Sequence, residues 1–285
     1  MTRSTSFIPR EHGAWGILGQ SFLAGLILAK GVTWLTLPAA AAVLLLFLLR
    51  EPLIFLGRQE FVWKNPNEDT PAARRLVWIY VLLLIPSGCL LLAGLPWRIV
   101  ASLGVPAFLL LAASTWLTVK NRQRSVWFQV VSSAGLNASA LLAWVSVRPA
   151  IELPILTLWA ILSAHATAAV LVVHAHLDLR IAVKKGEAGS IAKSAWIAQG
   201  CLLAGAALCV LLGQTAIAAP LVLSAAVHLW NLWRMKNPET LSTPLKVIGW
   251  RALALAISVA VVAIVALNPH PRPSSIDSQP LRNWR

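Results

Sequence analysis

The stretch Leu153–Arg180, LPILTLWAILSAHATAAVLVVHAHLDLR, decides the fold. As far as Val173 it is almost wholly apolar. It is longer than the roughly 18–20 residues a helix needs to cross a hydrocarbon core. Its last nine residues, VVHAHLDLR, then bring two histidines, an aspartate and an arginine to one end of a segment suited to lipid.

Runs of this kind recur along the chain. Of its 285 residues 58% are hydrophobic and 12% charged, where soluble domains are about a quarter charged. Nine spanning helices are expected, at 10–29, 33–56, 76–94, 98–118, 125–147, 152–178, 191–212, 215–235 and 245–267. The chain reads as an all-α, polytopic membrane bundle forming one domain over 1–267. Residues 268–285 are a polar, Pro-rich tail, expected to be disordered.

The charge orients the bundle. A net charge of +14 would suggest nucleic acid in a soluble protein, but here the basic residues fall between apolar runs and no patch mixes them with exposed aromatics. Outer segments hold Lys30, Arg98, Arg148, Arg272, Arg282 and Arg285; the other 18 lysines and arginines fall on the opposite side. The positive-inside rule predicts N-in, C-out, in the plasma (inner) membrane. Trp34, Trp97, Trp144 and Trp196 stand near expected helix ends, as interfacial belts do. Cys89, Cys201 and Cys209 lie within apolar runs and form no CxxC pair, so neither a disulfide framework nor a zinc site is indicated. No cleavage motif follows the first apolar run, which reads as a retained helix.

Four polar motifs interrupt the apolar pattern. In VVHAHLDLR, His174 and His176 point about 200° apart on a helix and cannot grip one ion, whereas His174 shares a face with Asp178 and His176 with Arg180. REPLIFLGRQE, Arg50–Glu60, ends the second helix with Arg50, Glu51 and Arg58; the positive-inside rule calls for the arginines but not for Glu51. PREHGAWG, Pro9–Gly16, opens the first helix with Arg10, Glu11 and His12. Glu11 suits the positive end of the helix dipole, and Gly13, Gly16, Gln20 and Ala24 form a small stripe suited to close packing. In NRQRSVWFQVVSSAGLNASA, Asn121–Ala140, the residues Arg122, Gln129, Ser133 and Asn137 fall within about 80° on a helical wheel. Each motif alone can serve helix packing. Together they place ionisable and amide groups of four helices at one membrane face, as one polar chamber would.

The opening P-x-E-H-G-A-W at Pro9–Trp15, the R-x-P-like end of the second helix at Arg50–Pro52 and PLKVIGWRALAL at Pro244–Leu255 resemble the YwiC-like family of bacterial membrane proteins. More distantly, nine helices with long inner loops after the second and sixth resemble UbiA-type intramembrane prenyltransferases. That resemblance extends to Arg122, Ser125 and Gln129, followed by Val130 and Val131, entering the fifth helix. It implies a site for an isoprenoid diphosphate. In that family Asp-rich motifs ending the second and sixth helices hold magnesium; here Glu51 and Glu60 are the only acids near the first, and Asp178 is all that remains of the second. No cofactor is therefore expected, since magnesium on a diphosphate needs several hard oxygen ligands.

The expected ligand is an anionic isoprenoid or phospholipid, held without metal by Arg50, Arg58, Arg122 and Arg180. If transfer chemistry is retained, Asp178 or His174 is the general base, with Arg10, Glu11, His12, Glu51, Ser125, Gln129, Ser133, Asn137 and His176 lining the chamber. Two other classes fit the same polar stripes: a small-solute permease and a non-catalytic membrane assembly factor.

Overall fold

The structure, a computed structural model, describes residues 7–9, 12–65, 67–122, 125–187 and 189–268. The described elements are helical: α1 (His12–Ala29), α2 (Thr36–Arg58) running on as a π-helical turn (Gln59–Trp63), α3 (Thr70–Gly94), α4 (Trp97–Val119), α5 (Val126–Asn137), α6 (Ser139–Val145), α7 (Leu153–Lys185), α8 (Lys193–Leu211), α9 (Thr215–Arg234), α10 (Pro238–Leu241) and α11 (Leu245–Leu267). Eight helical stretches, α5 and α6 counting as one, are long and apolar enough to cross a membrane; α1 carries a shorter apolar run, Gly13–Ala29. Each of the nine expected spans falls on one of these nine stretches. The tail beyond residue 268 lies outside the described residues.

Four expected boundaries move. α3 begins at Thr70, not at residue 76. α2 continues past residue 56 through Arg58 and the π-turn until Lys64, whose left-handed backbone (φ 56°) stops it. α7 runs 33 residues to Lys185, not to 178, and ends on Gly186 at φ 71°, a left-handed stop that glycine takes without strain. Hydropathy marks where lipid ends, while the helix continues into water until a residue breaks it. The expected helix 125–147 is interrupted at Ala138, whose N–H is shared between the carbonyls of Ala134 and Gly135.

α7 is the hub, packed against α1, α5, α6, α8, α9 and α11. α3 packs chiefly on α2, as does α4, and their most apolar stretches are only 11% and 6% buried, against 44% for α7. Apolar helices exposed in this way present their surface to lipid. The main core joins Leu28, Trp144, Leu158, Leu162, Leu202 and Val259. Trp144 therefore departs from the interfacial expectation: it is buried, with Nε1 donating to the Ala150 carbonyl.

The small stripe of α1 packs as its residues suggest from Gly16 onward, while Gly13 is exposed and a Cβ there would meet nothing within 4 Å. A Cβ on Gly16 would come 2.8 Å from Leu253 of α11, and Gln20 donates to the Ala256 carbonyl. Gly25 admits the backbone of Ala140 so closely that any side chain there would overlap the Ala140 carbonyl oxygen. Ser139 donates to the Leu18 carbonyl, and Ser21 to Asn137 Oδ1 at 2.5 Å. The break between α5 and α6 is thus clamped on α1.

Candidate functional site

The end of the bundle carrying Arg50, Arg58, Arg122 and Arg180 is its basic end. Its apolar floor is built where α1, α2 and α5 meet: Ala14, Leu18 and Phe47 are buried, with Trp15, Val43 and Leu136 against them. The Trp15 and Phe47 rings meet edge to face at 4.8 Å, and Trp15 Nε1 donates to the Pro9 carbonyl at 3.0 Å. On α2, Arg50 and Glu51 stand one turn beyond Phe47. On α5, Gln129 lies two turns from Leu136 on the same face.

Two polar groupings stand above this floor. The first joins α2 to α4. Arg50 Nη1 lies 3.1 Å from Glu51 Oε1, and Nη2 donates to Thr118 Oγ1 at 3.3 Å. Arg58 donates to the Thr118 carbonyl and to Asn121 Oδ1, at 3.3 and 3.4 Å. The second joins α5 to α7: His174 Nε2 and Gln129 Oε1 are 2.8 Å apart. An amide oxygen only accepts, so His174 donates there, and a neutral ring then keeps its lone pair on Nδ1.

The remaining expected residues are distributed as follows. Arg122 is exposed and precedes α5 rather than lying on it, so it is not part of a helical stripe; Ser125 Oγ donates to its carbonyl. Ser133 is buried and bonds the Val130 carbonyl of its own helix, and Asn137 is the partner of Ser21. Asn137 thus serves the α1–α5 contact, and Ser133 is bonded within its own helix. His176 is buried on the opposite side of α7 from His174. Asp178 is exposed, and among the described residues nothing bonds to its carboxylate. Arg180 reaches the Thr243 carbonyl at 3.4 Å. Arg10 and Glu11 lie outside the described residues, as does the side chain of His12.

The donor set does not fit a magnesium–diphosphate site. Glu51 is paired with Arg50, Glu60 lies on the exposed π-turn beside Lys64, and Asp178 belongs to no cluster of acids among the described residues. Among the described residues no three His, Cys, Asp or Glu side chains gather where an ion could be held.

A second polar cluster, unforeseen from sequence, lies deeper. His165 of α7 and His228 of α9 are each 3% exposed, with rings stacked at 5.3 Å between centroids. His165 Nδ1 is 2.8 Å from Ser224 Oγ. An ionisable residue inside an otherwise apolar span was the available signal.

The helices and the polar end define a multi-pass helical membrane protein. Over residues 8–147, α1 to α6, the chain matches the family model described as YwiC-like protein. The resemblant stretch Pro244–Leu255 lies beyond that match. No curated protein and no solved structure matches the chain.

Proposed function

We propose that the basic end faces the cytoplasm, with the N-terminus inside, and binds the anionic headgroup of an isoprenoid or phospholipid, as a divergent relative of UbiA-type prenyltransferases. The observation carrying this reading is the Gln129–His174 bond joining α5 to α7 at the end where Arg122 and Asp178 stand exposed. Water or a headgroup can reach both charged groups. The apolar floor beneath, Phe47, Trp15 and Leu136, is suited to a hydrocarbon tail.

Arginines give the site its ligand class. Guanidinium groups bind phosphate oxygens in pairs of charge-assisted hydrogen bonds. Arg58 spends its present bonds on a carbonyl and an amide, both uncharged, and a phosphate would be the stronger acceptor. If group transfer takes place, His174 Nδ1 or the Asp178 carboxylate accepts the proton from the acceptor substrate, and the arginines stabilise the departing diphosphate.

The test is mass spectrometry of lipids co-purified with the protein, comparing wild type with an Arg58→Gln, Arg122→Gln variant. An isoprenoid or lipid phosphate retained by the first and reduced at least fivefold in the second is expected. Retention of a small polar solute instead would replace this reading with that of a permease.

A further inference from the structure

The α7–α8–α9 cluster contains more unmet hydrogen-bonding capacity than its protein contacts satisfy. Both ring nitrogens of His228 are buried, and among the described residues no atom bonds either of them. The same holds for Oε1 of Gln199, a fully buried residue on α8 whose Nε2 donates to the Ala195 carbonyl. Buried polar atoms are almost always bonded to protein or to ordered water.

The register of the hairpin brings these atoms to one level. α8 and α9 run antiparallel through the turn at Gly213, and a Cβ on Gly205 would lie 3.6 Å from Leu221. Counting back from Gly205 and on from Leu221 sets Gln199 opposite His228. Each stands six residues from the basic end of its helix, about 9 Å in. Gln199 shares the buried face of α8 with Ala195, Leu202 and Ala206; His228 shares that of α9 with Leu221, Ala225 and Leu232.

On both helices these side chains fall between two apolar clusters. Leu202 and Ala225 belong to the main core, and Ala195 and Leu232 to a smaller core with Val172 and Ala175. The polar layer is closed above and below by these two clusters, and a molecule held between them must be small. A neutral imidazole has one donor and one acceptor, and the Gln199 oxygen supplies a further acceptor. A molecule that both donates and accepts can bond one ring nitrogen and the Gln199 oxygen together, and the other ring nitrogen, which points away across the ring, takes a second such molecule.

We propose that this layer is an internal hydration site, holding at least one ordered water between His228 and Gln199 and joined through the stacked rings to His165 and Ser224. It is independent of the headgroup site and lies on the α7–α9 side of the bundle, outside residues 8–147. Water fits because it donates and accepts and is small enough for a closed layer.

The test uses wild-type, isotope-labelled protein in lipid bilayers and solid-state NMR in which magnetisation starts on water protons. His228, assigned through Val227 and Leu229, is expected to receive it at least threefold faster than the Ala225 and Leu232 methyl groups on the same face. Equal build-up at His228 and at those methyls would overturn the site. In Gln199→Met, close in size and lacking the acceptor, transfer to His228 is expected to fall by half or more; unchanged transfer would remove Gln199 from the site. Should that variant not accumulate, the wild-type Gln199 side-chain amide decides the point. Build-up matching His228 supports the bridge, and build-up matching Leu202 refutes it.

Discussion

His165 and His174 stand nine residues apart on α7 and meet opposite conditions. His165 lies 12 residues into the helix, about 18 Å from its start, whereas His174 lies about 32 Å in, where a hydrocarbon core of about 30 Å is ending. At the first depth the imidazole is enclosed by Ser224 and His228. At the second it is half-buried, with Gln129 on one nitrogen and exposed charges on the neighbouring turns. Depth decides what a polar side chain requires. In mid-membrane every donor and acceptor must be met inside the protein, because lipid offers none. At the boundary Asp178 and Arg122 need no protein partner, because water serves them. Substitutions in the two regions should therefore register differently, as lost stability in the first and lost binding in the second.

The largest effect is expected at the α1–α6 clamp, deep in the bundle. Gly25→Leu drives a side chain into the Ala140 carbonyl; with overpacking costing about 1–3 kcal/mol, or more against backbone, membrane abundance should fall at least fivefold by in-gel fluorescence of a tagged protein. Normal abundance would show that α1 can shift and that the clamp is loose. Next comes His165→Leu, which leaves the Ser224 hydroxyl without its histidine. A loss of about 1–3 kcal/mol should appear as a thermal midpoint several degrees lower in detergent, and an unchanged midpoint would erase the distinction between the two depths.

At the basic end the order reverses. Asp178→Asn should leave abundance within about a quarter of wild type, since exposed substitutions usually shift stability by less than ~0.5 kcal/mol, while ligand retention or turnover falls tenfold or more. A variant that disappears from the membrane would make Asp178 a structural partner after all. Gln129→Leu should cost only about 1 kcal/mol of stability, the usual worth of one interhelical hydrogen bond, but reduce retention more than threefold. Smallest of all is the effect of a chelator: EDTA should change headgroup retention by less than a fifth, and restoration of lost binding by magnesium would show that acids outside the described residues complete a metal site.

Much of this arrangement can be read from the chain, for definite reasons. A run such as Leu153–Val173 has one stable fate in a membrane, so the spans follow from hydropathy. Their ends do not. The last turns of α7, from Arg180 to Lys185, are too polar to register as membrane-spanning, yet nothing before Gly186 stops the helix. The break at Ala138 involves neither glycine nor proline at that position and depends on α1 clamping both sides. Four expected site residues came together in contact pairs, Arg50 with Glu51 and Gln129 with His174, because each pair lies at the basic end of adjacent or packed positions. Ser133 and Asn137 look the same on a helical wheel, but they lie deeper, where Ser133 bonds its own helix and Asn137 is taken up by Ser21 of α1. The pairing of His165 with His228 rests on the packing of α7 against α9, which no single span encodes.

The clamp on α1 also has a temporal side. Gln20 and Ser21 find their partners 236 and 116 residues further along the chain. At roughly 5–20 residues per second, α1 is synthesised about 6–23 s before Asn137 exists and about 12–47 s before Ala256. Throughout that interval Gln20 Nε2 and the Ser21 hydroxyl lack the acceptors to which they later donate. α1 is therefore among the last of these helices to be locked, and a chain truncated before α5 should leave α1 easily extracted from the membrane.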